Sequence, residues 1–292
     1  MQKILTHLWF DKEAKEATAL YVSLFPNSKI NKVTTITDTP SGDTDMVGFT
    51  LAGKDFMAIS AGPYFKFNPS ISLFAVFDTE KEIDEVWNKL IDGGKVLMEY
   101  QKYPWADKYG WLQDKYGLSW QLSMSENHKL EQKITPLLMF TQGMAGKAKE
   151  AIDTYTKLFP DSKIDMVAPY EKGEGDTEGF IKHARFTLAK ENFMAMDSSG
   201  PHEFVFNEAI SFVVKCDTQE EIDRYWAALS AVPESEQCGW LKDKYGVSWQ
   251  IVPSIMDEML TSGDQEKTER VTQAFLKMKK FDISKIEEAY KG

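Results

Sequence analysis

Apolar and polar positions along the chain switch between two periods in a fixed order. Ile4–Phe10 is a short apolar run that predicts a strand. Asp11 then precedes an amphipathic helix reaching Leu24, with Ala14, Ala17, Leu20, Tyr21 and Leu24 at helical spacing and Pro26 ending it. Lys29–Thr37, Met46–Leu51 and Asp55–Ser60 alternate as strands do, and a turn at Gly53 joins the last two. Ser72–Phe77 predicts another strand. Asp78 or Thr79 caps a second helix, which has Glu82 in its first turn and Ile83, Val86, Trp87 and Leu90 on one face. Further strands follow, the last at Leu118–Met124. The pattern reads β-α-β-β-β, twice over.

That whole pattern is then repeated. "SLFPNSKI" (Ser23–Ile30) returns as "KLFPDSKI" (Lys157–Ile164), and "FTLAGKDFMAIS" (Phe49–Ser60) as "FTLAKENFMAMD" (Phe186–Asp197). "DTEKEIDEVWNKL" (Asp78–Leu90) returns as "DTQEEIDRYWAAL" (Asp217–Leu229), and "GWLQDKYGLSWQ" (Gly110–Gln121) as "GWLKDKYGVSWQ" (Gly239–Gln250). The order is kept, so a whole domain is duplicated. The polar stretch Ser125–Lys133 joins the copies. The expected domains are 1–128 and 134–254, with a linker at 129–133 and a tail at 255–292. The first copy carries an extra Gly93–Tyr109 and the second an extra Glu171–Gly179, both expected in loops. "DKYG" predicts a turn with its glycine at positive φ. Asp264–Lys280 and Ser284–Tyr290 predict tail helices, the first with an apolar stripe of Val271, Phe275 and Met278 that docks on a barrel or on a second chain.

With "LWF" (Leu8–Phe10), "LYVSLFPNSKI" (Leu20–Ile30), "FNEAISFVV" (Phe206–Val214) and "FLKMKKFDISKIEEA" (Phe275–Ala289), these phrases carry a specific resemblance that spans nearly the whole chain. The sequence resembles the vicinal-oxygen-chelate superfamily, the glyoxalase and bleomycin-resistance fold. Within it, the sequence is similar to the PhnB-like branch, whose domains are labelled 3-demethylubiquinone-9 3-methyltransferase. The resemblance implies an α+β class of tandem glyoxalase-like domains. Each is built of two βαβββ units that form a cupped mixed sheet with helices outside, and a helical tail follows.

Superfamily enzymes hold a divalent metal in the cup with His and Glu side chains, which polarises vicinal oxygens. Carried over by resemblance, the first-strand position falls on Thr6 and Pro136, and the fourth-strand position near Met57 or Ala58 and near Met194 or Ala195. The fifth-strand position falls on or beside Ile71 and Ile210, and the last-strand position on Gln121 and Gln250. None of these is a good ligand for a hard cation, so neither a metal site nor a cofactor is expected. His7 sits one residue out of that register, on what would be the opposite face. In "GLSWQLSM", Ser119, Gln121 and Ser123 share the face assigned to the cup, where an uncharged amide can orient a ligand. Ser248 and Gln250 repeat this. Trp111 and Trp240 are read as an aromatic rim. Asp197, in place of Ser60, is a candidate general base or a solvated strand-end carboxylate.

Composition narrows the function. The chain has 292 residues, 42% hydrophobic and 27% charged, with a formal net charge of −11. Such a surface has no basic patch for nucleic acid and no attraction to anionic membranes. Cys216 and Cys238 form no metal or disulfide spacing. With no signal segment and no membrane span, a cytoplasmic protein is expected. "GEGDTEG" is neither a Rossmann nor a Walker motif, and no glycine-rich strand-to-helix turn for S-adenosylmethionine is present, so methyl transfer is not carried over. The leading expectation is metal-independent binding of a small apolar or aromatic molecule. The alternatives are a lyase, isomerase or transferase, and a structural protein whose cups are plugged by Met57, Phe56 or Phe193. Pairing of domains within the chain, or a homodimer, is expected.

Overall fold

The computed structural model describes residues 2–39, 42–124 and 132–292, so the joining stretch up to residue 131 lies outside the described residues. The chain forms two compact units, Leu8–Ile210 and Met1–His7 with Ser211–Gly292.

The first strand, β1 (Ile4–Phe10), leads into the larger unit. There α1 (Ala14–Leu24) precedes an antiparallel meander of β2 (Lys29–Thr39), β3 (Gly42–Leu51) and β4 (Lys54–Ser60). Next come β5 (Ile71–Phe77), α2 (Glu80–Leu90), β6 (Lys95–Tyr103), β7 (Ala106–Gln113) and β8 (Ser119–Met124). The second repeat supplies β9 (Ile134–Phe140), α3 (Ala148–Leu158), β10 (Lys163–Pro169), β11 (Ile181–Leu188) and β12 (Glu191–Asp197). Eight of these strands make one mixed sheet in the order β10-β11-β12-β9-β5-β8-β7-β6. Its central join is antiparallel pairing of β5 with β9, so the sheet draws on both repeats.

The smaller unit holds the rest of β13 (Ile210–Cys216), with α4 (Gln219–Leu229), β14 (Trp240–Lys242) and β15 (Ser248–Pro253). Here β15 runs parallel to β13 and antiparallel to β14. The tail forms α5 (Met256–Met259), α6 (Gln265–Phe275) and α7 (Ile283–Lys291). It docks on its own unit: Cys238 N–H donates to the Met278 carbonyl at 2.8 Å and Gly239 N–H to the Lys279 carbonyl at 2.7 Å. Gly239 has φ 81°, and a Cβ there would lie 2.5 Å from the buried Phe281 ring.

One local expectation is corrected. The extra Gly93–Tyr109 is not a loop: it supplies the β6–β7 hairpin, because Lys95–Tyr103 finds Ala106–Gln113 as an antiparallel partner. The second copy has only the three-residue β14 opposite β15. Asp11 precedes α1 as expected. The helix starts after Glu13 without a local side-chain cap, and Ser60 Oγ, from the end of β4, accepts from Ala14 N–H at 3.1 Å. In α2 and α4, by contrast, Thr79 and Thr218 do accept from the first-turn N–H groups of Glu82 and Glu221.

The repeated phrase is explained by its aspartate. Asp114 Oδ1 accepts from Tyr116 N–H at 2.9 Å and Leu118 N–H at 3.0 Å, while Oδ2 accepts from Trp120 Nε1 at 3.0 Å and Tyr21 Oη at 2.7 Å. Asp243 repeats this with Tyr245 N–H, Val247 N–H and Trp249 Nε1 at 2.9–3.0 Å. Gly117 and Gly246 complete the turns at φ 88° and 89°. Burial pushes the Asp114 carboxyl above the usual carboxylate range, against the pull of those four donors. Asp114→Asn presents a donor to the Trp120 N–H donor and leaves a buried indole unpaired. Urea denaturation should show a loss of about 2–4 kcal/mol for Asp114→Asn and a comparable loss for Asp243→Asn.

Candidate functional site

Strand register decides which side chains share a face, because directly opposed residues point the same way. In the eight-stranded sheet, Leu73, Ala75, Trp120 and Leu122 face the helices; Trp120 stacks on Phe25 and edges onto Tyr21 of α1. The opposite, concave face carries Ser72 and Phe74 of β5, paired with Ser119 and Gln121 of β8, which in turn oppose Gln113 and Trp111 of β7. These groups form one buried network. Trp111 Nε1 donates to Ser119 Oγ at 2.8 Å, and Ser119 and Ser72 hydroxyls lie 2.9 Å apart. Gln121 Nε2 donates to Ser72 Oγ at 3.3 Å, and Tyr109 Oη donates to Gln121 Oε1 at 2.8 Å. Tyr109 comes from the β6–β7 hairpin. Both ends of the Gln121 amide are therefore engaged by the protein itself.

The second-repeat half of this face is set by β9. Leu137 opposes both Ser72 and Met194, whereas Pro136 opposes Leu73 on the helix side. The concave-face position of the first strand is thus Leu137, and by the repeat His7, one residue beyond Pro136 and Thr6. Leu137, Met194 and Gln121 are each under 5% exposed. Trp111, Phe74 and Met196 at its margin are half-buried. Phe56 and Phe193 do not plug the face. Each lies on the helix side, stacked on Phe49 and on Phe186. Met57 opposes Gly48 on the other side of its meander and is half-buried.

Asp197 is neither solvated nor on the concave face. Its exposure is 1%, and it accepts from Gly146 and Ala148 N–H at 2.8 and 3.1 Å and from Ile181 N–H at 2.8 Å. It pins the start of α3 to the start of β11, as Ser60 pins α1, and burial raises its carboxyl above the ordinary range despite those donors.

In the smaller unit, Gln250 and Ser248 of β15 share a face with Ser211 and Trp240. Lys215 N–H bonds the Lys3 carbonyl at 2.9 Å, a pairing that continues to bring His7 opposite Ser211. The His7 ring meets Trp240 edge-on at 5.4 Å between centroids. Gln250 Nε2 donates to Ser211 Oγ at 2.9 Å, and its carbonyl oxygen has no partner among the described residues. His7 is 4% exposed, and its Nδ1 is buried without a hydrogen bond. Burial lowers its pKa to about 3, so the imidazole is neutral. Thr6, the residue that spacing puts at the first-strand position, is buried on the alternate side of β1 because successive side chains point opposite ways.

The sequence profile of the 3-demethylubiquinone-9 3-methyltransferase family matches residues 2–123 and again 132–252. The chain belongs to this family. Each repeat is thus one copy of the family domain. A PhnB protein from Bacillus cereus is 41% identical over 42% of this chain and all of that one, with a TM-score of 0.40. A protein from Staphylococcus aureus is 35% identical over 43% of this chain and 98% of that one, with a TM-score of 0.19. A mutant glyoxalase I from Zea mays superposes over 86% of this chain and 94% of its own, with a TM-score of 0.55 at 12% identity, which shows a shared glyoxalase fold. No curated protein matches.

A metal at the centre of these faces is not matched by the donors of this family member. The larger unit offers Leu137, Met194, Ser72 and Gln121, and the smaller unit His7, Ser211 and Gln250. Neither set includes a carboxylate to hold a hard cation. Among the described residues no group of three or more His, Cys, Asp or Glu side chains is placed to share one. Two cavities of about 740 and 420 Å³ are lined by neither Gln121 nor Gln250, one around Trp9, Phe65, Gln113 and Tyr116 and one around Leu24 and Val86. In the first, Glu16 is already paired with Lys115 and Tyr116, each at 2.6 Å. No helix among the described residues is long and apolar enough to cross a membrane.

His7 gives a pH signature. Its folded pKa lies near 3 and its unfolded value near 6.5. Between those values the unfolded chain binds a proton that the folded chain refuses, so stability falls as pH drops. Over pH 6 to 4, denaturation curves should show the native protein losing about 1.4 kcal/mol per pH unit more than His7→Leu. Parallel curves would place a charged, solvated imidazole at this position.

Proposed function

We propose that the protein binds a small apolar or aromatic molecule, without a resident metal ion, on the face that carries His7, Trp240, Ser211 and Gln250. One observation supports this above the others: His7 Nδ1 is buried with no partner beside Trp240, on the face where the Gln250 carbonyl is also unpaired. A buried polar atom without a hydrogen bond costs about 1–3 kcal/mol, and a ligand that supplies the bond recovers that energy. The Trp240 indole adds an aromatic surface, and the neutral amide and imidazole add orientation without charge.

A second reading applies to the eight-stranded sheet. Its Gln121 is bonded at both ends, which favours a filled, structural role for the part of the face between β5 and β8. A lyase, isomerase or transferase would have to use His7 as its base on the smaller unit's face, and an imidazole held near pKa 3 is a weak one. Methyl transfer from S-adenosylmethionine has no support in "GEGDTEG", which spans the connection between strands β10 and β11 without opening a helix.

Thermal melting with phenol, indole and benzyl alcohol tests the reading. At 100-fold over Kd, binding should add about 2.7 kcal/mol and raise the midpoint, and Gln250→Ala and His7→Leu should each remove most of the rise. No rise with any of the three, or rises untouched by both substitutions, would contradict binding at this face.

A further inference from the structure

We propose that Arg185 is the anchor of a second ligand site, for the carboxylate of a small organic acid, on the concave face of the eight-stranded sheet. Arg185 lies on β11, whose Ala184 and Phe186 are buried on the helix side. Arg185 therefore points to the concave side, opposed by Met194 of β12 and Met166 of β10. Met194 in turn opposes Leu137. Arg185 is half-buried, with Met194 and Met166 as its cross-strand neighbours on that side. Its Nε is buried and has no hydrogen-bond partner, and among the described residues Arg185 makes no ion pair.

The carboxylates closest in sequence and register are committed elsewhere. Asp165 sits in the bulge between Ile164 and Met166; it pairs with Lys163 at 2.8 Å and accepts from Thr187 Oγ1 at 3.0 Å. Glu191 pairs with Lys54 at 2.9 Å. Asp197 is on the helix side, held by three main-chain N–H groups. A guanidinium cannot shed its charge, and its buried Nε–H without a hydrogen bond is a cost the fold carries. Its planar fork fits a carboxylate through two parallel hydrogen bonds. The methionines are deformable and suit the apolar body of such a ligand. This site uses neither His7 nor Gln250, so it stands apart from the reading given above.

Benzoate is the probe, with benzyl alcohol as its neutral counterpart and sodium chloride at matched ionic strength. Benzoate should raise the thermal midpoint of the native protein, and chloride should not. Arg185→Met should abolish the benzoate shift and leave any benzyl alcohol shift unchanged. Without ligand, the same substitution should not lower the midpoint, because it removes a buried N–H that has no partner. Arg185→Lys keeps the charge without the fork and should bind benzoate about tenfold more weakly by calorimetry. His7→Leu and Gln250→Ala should leave the benzoate shift intact, so this site and the Gln250 site fail independently. A native midpoint insensitive to benzoate, or a benzoate shift that survives Arg185→Met, would overturn the proposal.

Discussion

A buried aspartate in a tight turn sets everything that follows. Asp114 and Asp243 each gather two main-chain N–H groups and an indole N–H onto one carboxylate. That ties the turn to the tryptophan of the next strand and fixes which residue enters the sheet first. Side chains alternate along a strand, so a slip of one residue would exchange the two faces. With the knot in place, Trp120 and Trp249 go to the core and Gln121 and Gln250 to the concave face. That alternation delivers an uncharged amide to each concave face.

The two copies keep the knot and diverge around it. In the first, a long hairpin brings Tyr109 onto Gln121 and completes its hydrogen bonding. In the second, the corresponding connection is short, β14 has three residues, and the Gln250 carbonyl is left open next to His7 and Trp240. The same sequence phrase therefore ends in a closed polar network in one place and in an available one in the other. Length variation between the copies falls on the elements that close the face, while the helix-side cores of Trp120 and Trp249 are shared.

Much of this is legible in the sequence. The duplication, the element order, the positive-φ glycines of the turn and the alternation that sets Gln121 against Trp120 follow from pattern alone. The first-strand position does not. "ILTHLWF" is apolar nearly throughout, so periodicity cannot say which face His7 takes; the answer lies in the partner strands, which oppose Leu137 to Ser72 and Met194. Asp197 misleads because its three donors come from two other elements, a contact no local motif announces. The β6–β7 hairpin hides as a loop because its alternation is broken by bulges between Val96 and Met98 and between Met98 and Gln101. Arg185 in "IKHARFTL" looks like the wet side of an alternating strand until Met194 and Met166 are placed opposite it.

Among the described residues, neither concave face carries the carboxylate donors that a hard cation needs. Calorimetric titration of chelator-stripped protein with Mn²⁺ and Ni²⁺ tests it most directly. No stoichiometric heat above that of weak surface binding is expected. One equivalent of metal taken up with a Kd near or below about 1 μM, about −8.2 kcal/mol, and lost in Gln250→Ala or Gln121→Ala, would contradict it.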